Sequence, residues 1–536
     1  MPTVQIHNAG TLGVIKDVAP HELPPEAFTD ARNVRFQNGK IIEFTGDASV
    51  FEDASFTIPY YFLRAVPSDS NLFWLLMGLA KIYTTTGGTH TNITRQSGGI
   101  DVDYTGAATD KWCTTLLGGI PVLTNNKDLP QYWPAISAGT KLANFPTTAG
   151  LWNTNHRAKI IRAFKSYLMA FNITKTGTKY TNLVKWSHPA DPGSLPASWD
   201  ETDPTRDAGE KPLDTGGDIL DALPLGDLMC IYSETSTHGA RLTGQQNIFT
   251  FPLILSESGI LTQDCVKSIG PLKQHFIVTG DDVILFNGSD GKSVADKKIR
   301  TYLFRSLDSS NYASSFVAVN YSQREIWFCY PETGNTYPNI AAVWSWVEDN
   351  WTFRDLATIT HIANGPINDT NVDETWDADS GSWDDDSSIW NEKFFQANIR
   401  DMLMAQPGST KLLRGDYSNT FDGTNIHSWA ERTGIALIGR DRFWNPKVDY
   451  QNRKLCDEVW PRVSGGKVNI YLGASDNAAN SPTYNAAQEY DPNTSYKLDA
   501  DPPIEGRMLA IKFDSEEVTQ WTAEGYDMNV EITGRY

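Results

Sequence analysis

Short apolar runs separated by turn residues recur along the chain, and few of them follow the 3.6-residue period of a helix. Residues 73–88, FWLLMGLAKIYTTTGG, place an apolar strand, a tight turn and a second apolar strand in succession. The same unit returns at 112–126 (WCTTLLGGIPVLTNN), 165–187 (KSYLMAFNITKTGTKYTNLVKWS), 275–291 (HFIVTGDDVILFNGSDG) and 325–355 (EIWFCYPETGNTYPNIAAVWSWVEDNWTFRD). Gly118-Gly119, Gly280-Asp281-Asp282 and Gly334-Asn335 stand at the tips, where hairpins demand the positive φ angles these residues tolerate. Successive units start about 40 to 55 residues apart, with the step from 165 to 275 twice that, near the roughly 40–50 residues of one four-stranded propeller blade plus insertions. The pattern predicts an all-β chain, a β-propeller-like platform built of antiparallel hairpin units with inserted loops and β subdomains. A set of β-sandwiches is the alternative. One amphipathic helix is predicted at 24–34 (PPEAFTDARNV), where proline opens a turn and Ala27, Phe28 and Ala31 share a face.

Four regions follow from this pattern. Residues 1–60 form an N-terminal arm and first hairpin, and 61–363 the propeller-like platform, with a Pro/Asp/Gly-rich loop insertion near 188–218. Residues 364–395 are an acidic, Trp-rich insertion. Residues 396–536 are a C-terminal β region closing the platform, interrupted near 474–503 between KVNIYL and RMLAIKFD, which pair as strands. Long loops on a rigid β scaffold are the usual seat of function.

Composition narrows the classes. The chain of 536 residues is 40% hydrophobic and 11% aromatic, including 17 Trp, enough for a sizeable core and not the profile of a disordered chain. With 45 basic against 65 acidic residues, the formal charge is −20. Such a surface repels phosphate backbones and anionic membranes. Five cysteines are scattered without a C-x-x-C pair, the mark of buried thiols in a reducing compartment and not of a disulfide or zinc framework. The opening MPTVQIHNAG has neither the charged nor the apolar region of a secretory signal, so synthesis in a cytoplasm is expected. The longest apolar run, LFWLLMGLA, is too short to cross a bilayer.

Candidate chemistry changes this picture little. Residues 373–390, DETWDADSGSWDDDSSIW, hold seven acidic side chains, no basic one, and Trp376, Trp383 and Trp390 at seven-residue intervals. An EF-hand loop fails, because counting from Asp377 puts Gly381 at position 5 and Ser388 at position 12. A different calcium site from Asp377, Asp379, Asp384 and Asp386 remains open, as does a sugar cleft of paired carboxylates and aromatic platforms. The favoured reading is structural: a ladder of turns stacking Trp376, Trp383 and Trp390 while the carboxylates stay wet. NGSDGKS at 287–293 has only Ser289 and Asp290 between Gly288 and Gly291, too few for a phosphate-binding loop, and reads as a hairpin turn. SESG at 256–259 lacks the first glycine of a nucleophile elbow, and the nine histidines never approach metal-site spacing. No catalytic, cofactor-binding or metal-ligating residue is assigned, and no cofactor is implied.

Several stretches together resemble the tail-nozzle (tail tubular, packaged-DNA-stabilising) proteins of short-tailed bacteriophages. ARNVRFQNGKIIEFTGDASVF (31–51) is similar to that family's opening, and VKWSHPADPGSLPASWD (184–200) to its Trp-Ser…Asp-Pro…Trp stretch. GILTQDCVKSIGPLKQHFIVTGDDVILFNG (259–288) carries the most specific likeness, followed by the strand pairs of 325–355 and the closing strands after DEVWPRVSGGKVNIYLGAS. The acidic insert and the Asn-rich loop depart from the pattern. The resemblance implies a structural virion protein of the viral tail, assembled in the host cytoplasm: a homo-hexamer beneath the portal-bound adaptor, contacting tail fibres or spikes. It would pass double-stranded DNA without sequence-specific binding and hold it until DNA ejection, making and breaking no bond. Six copies at −20 carry 6 × (−20) = −120, a wall to which DNA would not stick. The alternative is a carbohydrate-active β-propeller, or a tail-associated depolymerase or receptor-binding protein.

Overall fold

A computed structural model describes residues 3–534 apart from 53–55, 57, 69–71, 245–246, 368–399, 441–445 and 479. Its regular secondary structure is almost entirely strand, and the one α-helix among the described residues is Arg300–Ser306. Seven antiparallel sheets follow one another along the chain, and the first strands are Phe62–Pro67, Cys113–Leu117, His156–Phe164, Ile219–Leu225, Val266–Ile269, Phe316–Asn320 and His361–Gly365. From the second sheet onward each first strand packs against the next, and His361–Gly365 returns to Phe62–Pro67. The sheets therefore form a closed ring: a seven-bladed β-propeller with the first strand of each blade innermost. Aromatic pairs fill the gaps between blades, such as Phe73 against Trp133 at 5.8 Å and Trp186 against Phe249 at 5.6 Å between ring centroids.

The ring is closed by distant chain. Blade seven takes His361–Gly365, Asp401–Ala405 and Leu412–Ser418, and its fourth strand is Gly46–Val50, antiparallel to Leu412–Ser418. Blade six borrows Gly13–Val14 and Ala27–Phe28 at its outer edge.

The remaining strands build a β-sandwich. One sheet runs Leu498–Gly506, Arg453–Gly465, Trp521–Gly534, Lys40–Glu43, Val34–Gln37, with Thr3–His7 also on Trp521–Gly534. The other runs Asp30–Arg32, Ser428–Ile435, Met508–Ser515, Val468–Ser475, then the short Thr483–Tyr484 and Gln488–Tyr490. Their inner faces meet at Phe513, Trp521 and Tyr526. The same buried cluster continues through Phe28 to Trp344 and Trp351 of blade six, so sandwich and propeller share a core.

Three expectations are corrected. No helix occupies 24–34: Ala27–Phe28 and Asp30–Arg32 are strands, one on blade six and one in the sandwich. Partner strands far away in sequence supply the backbone hydrogen bonds, and tertiary pairing overrides a weak local period. The region 396–536 does not close the platform as a unit: 401–418 belongs to blade seven, and the strands from Ser428 to Gly534 belong to the sandwich. Nor is 1–60 a separate arm, since its strands are shared among the sandwich and blades six and seven. The 188–218 stretch contributes Gly209–Pro212 as the outer strand of blade three and tucks Trp199 against Trp152 at 4.8 Å. Val468–Ser475 does pair with Met508–Ser515, as expected.

Buried charges fix the joint between these parts. Arg35 of the sandwich donates from Nε to Glu325 of blade six (2.8 Å) and from Nη2 to Asp416 of blade seven (2.8 Å). Arg354 of blade six donates to Asp47 of the closing strand (2.7 Å) and to the Thr45 carbonyl (3.0 Å).

Candidate functional site: the axial cavity

Residues from the first strands of all seven blades meet in one cavity of about 540 Å³ on the propeller axis. Arg64 comes from blade one, Thr114 from blade two, Arg162 from blade three, Leu223 from blade four, Lys267 from blade five, Ala318 from blade six and Asn364 from blade seven. A propeller puts them there by construction, because its innermost strands converge and every blade must present something to the axis. Apolar neighbours, among them Phe62, Leu63, Trp112 and Ile362, make up much of the wall. Pro366 and Arg400, the ends of the connection between the first two strands of blade seven, also reach it.

The charged lining is mostly cationic. Arg162 is held by Asp221 of blade four (Nη2–Oδ1, 2.6 Å) and donates to the backbone carbonyls of Ala222 and Thr114, each at 2.9 Å. Burial works against its charge, but Asp221, with Cys113 and Asp264 adding to it, outweighs burial and raises its pKa. Lys111, just behind the lining, donates to the Gln263 carbonyl (2.8 Å) and the Ser315 carbonyl (2.7 Å), and burial lowers its pKa. Arg400 lies over the Tyr321 ring at 4.7 Å. Arg64 has no hydrogen bond or ion pair among the described residues, and burial, followed by repulsion from Arg162, lowers its pKa.

Asp264 is the acidic group of the lining, on a backbone at φ +67°. Burial disfavours its charge, yet Lys267 and Lys111, with His361 and Arg162 behind them, hold its pKa below the usual carboxylate range. His361 is pushed down to about 3, by burial first, with Lys267, Lys111 and Arg64 adding repulsion against the pull of Asp264. Its Nδ1 accepts from the Leu63 N–H at 3.4 Å, and it is neutral near pH 7. The arrangement can hold an anion; no nucleophile–base pair faces the cavity among the described residues.

Trp376, Trp383 and Trp390, with the acidic side chains between them, lie outside the described residues, so their packing is not placed. NGSDGKS is a hairpin turn, where Asn287 Oδ1 accepts from the N–H groups of Ser289 and Asp290, both at 2.9 Å. All five cysteines are free and buried, and no cluster of three metal-ligating side chains occurs among the described residues. No described helix is long and apolar enough to cross a membrane. The axial residues went unnoticed in the sequence, although a signal exists: FLRAVP and CVKSI each put one cation into an otherwise apolar first strand.

The fold is thus an all-β propeller with an interleaved sandwich. No protein-family model matches the chain, and no curated protein does. Among solved structures it is similar to PorZ, an essential bacterial surface component of the type-IX secretion system of Porphyromonas gingivalis. Identity there is 9%, over 73% of this chain and 44% of that one, with a TM-score of 0.35. It is also similar to Chaetomium thermophilum Raptor, at 8% identity, over 69% of this chain and 30% of that one, with a TM-score of 0.39. The chain spans less than half of either, and likenesses this weak carry no argument.

Proposed function

We propose that the chain is a structural virion protein, six copies of which form the tail nozzle of a short-tailed phage. The ring would sit beneath the portal-bound adaptor, hold fibres or spikes, and conduct and seal genomic DNA without chemistry on it. Support comes from the likeness of 31–51, 184–200 and 259–288 to that family. The observation carrying most weight is the interlocked build. Strands between Thr3 and Val50 complete the sandwich and two blades, and Arg35 and Arg354 pin them through buried carboxylates. A subunit fastened in this way keeps its shape under internal load, because no one part can swing free unless another opens.

Native mass spectrometry and negative-stain imaging of the purified chain, alone and with its adaptor, test the reading. The expected particle is a six-fold ring, six times the chain mass of 59.6 kDa. A persistent monomer or trimer that depolymerises host polysaccharide, with turnover lost on a single Asp→Asn change, would replace it.

A further inference from the structure

Among the described residues, the axial cavity holds more positive charge than its own carboxylate balances, in a chain whose formal charge is −20. Arg64, Arg162, Lys267 and Arg400 line it against Asp264, a formal 4 − 1 = +3; the Asp221 partner of Arg162 reduces this to +2. Arg64 is the clearest case. Its side chain is half-buried on the cavity wall, it repels Arg162, and no described group accepts a hydrogen bond from it. A guanidinium that shares a cavity wall with other cations and has no carboxylate partner is repelled by them, and a bound anion would relieve that repulsion. Arginine's fork of donors suits an oxyanion, and Lys267 adds a point charge from the neighbouring wall.

Asp264 decides which oxyanion. An ionised carboxylate inside an anion site repels any fully deprotonated guest, but it accepts a hydrogen bond from one that keeps an acidic O–H. Hydrogen phosphate has that O–H near neutral pH; sulfate does not. The His361 tautomer that accepts at Nδ1 carries its proton on Nε2 and offers one more neutral donor.

We propose that the axial cavity binds inorganic phosphate in its hydrogen-phosphate form, gripped by Arg64 and Lys267 beside Arg162, with Asp264 accepting the phosphate P–OH.

Isothermal titration of the full chain with sodium phosphate, in low-salt buffer at pH 7.5, should show one saturable site per chain. Sulfate should bind at least about tenfold more weakly. Arg64→Gln and Lys267→Gln should each weaken phosphate by about tenfold or more, while Lys179→Gln, at an exposed site on blade three, changes nothing. Asp264→Asn should bring sulfate within about threefold of phosphate, since an amide donates to a bare oxyanion. Asn also tolerates the φ of +67° at this position.

Thermal unfolding supplies an independent reading. Phosphate should raise the wild-type midpoint and leave that of Arg64→Gln unmoved. Without phosphate, Arg64→Gln should melt no lower than wild type, because it removes one of several mutually repelling cations from the cavity wall. The proposal is overturned by an absence of saturable phosphate heat, by equal affinity for sulfate, or by undiminished binding in Arg64→Gln. Glycerol phosphate bound as tightly as phosphate overturns it too, because a phosphomonoester has lost its second proton by pH 7.5 (second pKa about 6).

Discussion

Cutting the Arg354–Asp47 pair tests whether buried charge locks the last blade. Arg354 is 0% exposed and Asp47 is 1% exposed, so neither reaches water to recover its solvation. The guanidinium lies over Trp327 at 4.6 Å and Phe421 at 5.1 Å, with Asp47 and the Thr45 carbonyl as its polar partners. Asp47→Ala strands that cation in an aromatic box, and removing one partner of a buried pair costs about 3–5 kcal/mol. The Asp416 N–H loses its acceptor at 3.2 Å as well, adding roughly 1 kcal/mol. Arg354→Met alone leaves the Asp47 carboxylate stranded and should cost about as much. Combining Asp47→Ala with Arg354→Met removes both charges and keeps an apolar stem in the box, so the double variant should lose about 2 kcal/mol less than the sum of the singles. Urea unfolding followed by tryptophan fluorescence gives the cycle. Hydrogen exchange should show the amides of Gly46–Val50 opening first in each single variant. Strict additivity, or single losses under about 1 kcal/mol, would refute the reasoning.

Three further outcomes are expected. Burial holds the His275 imidazole at about 4 against an ordinary 6.5, with Tyr232 Oη at 2.7 Å from Nδ1 and the Pro224 carbonyl at 3.2 Å from Nε2. The unfolded chain takes up this proton first, so stability is lost as pH falls from 6.5 towards 4, by about 3 kcal/mol in total, and His275→Gln should flatten that limb of a stability–pH curve. Glu43 slopes the other way: burial lifts its pKa to about 7 from 4.5 despite the Ser428 hydroxyl at 2.6 Å, so its contribution fades as pH rises through that window. Glu43→Gln should therefore gain roughly 1–3 kcal/mol at pH 8 and little at pH 4, read as a shift in urea midpoint. Burial also pushes the Cys113 thiol up to about 11 and those of Cys230, Cys265 and Cys456 up to about 12, so a disulfide reagent at pH 8 should titrate none of the five cysteines natively and all in denaturant; one fast native thiol would contradict this packing.

The hairpins were legible because both of their signals are local. Apolar runs mark the strands, and Gly118 and Gly119 at the 112–126 tip have φ of +53° and +91°, the turn geometry their side-chain-free backbone permits. At Gly280-Asp281-Asp282 the signal was right for a different reason: Thr279 Oγ1 accepts from the Asp282 N–H at 2.9 Å and caps the turn through its side chain. The closing strand was not legible. Gly46–Val50 is a short, mixed sequence whose place is set by Leu412–Ser418, far along the chain, and no local period encodes such a partner. The same holds for Ala27–Phe28, where the helical spacing of Ala27, Phe28 and Ala31 was an accident of two strands bound to different sheets. Blade count also escaped the sequence, since outer strands such as Gln131–Tyr132 and Ala143–Asn144 are only two residues each. At the axis, single cations within FLRAVP and CVKSI could have been flagged as misfits in buried strands. That they share one cavity depends on ring closure, which only the fold supplies.

Because Gly46–Val50 seals the final blade against Leu412–Ser418 and Thr3–His7 hydrogen-bonds to Trp521–Gly534, these strands are synthesised hundreds of residues before the partners that seat them. Nascent chains must carry those orphaned edges until the partner strands emerge, so crowded growing copies could trade these strands with one another before the ring closes.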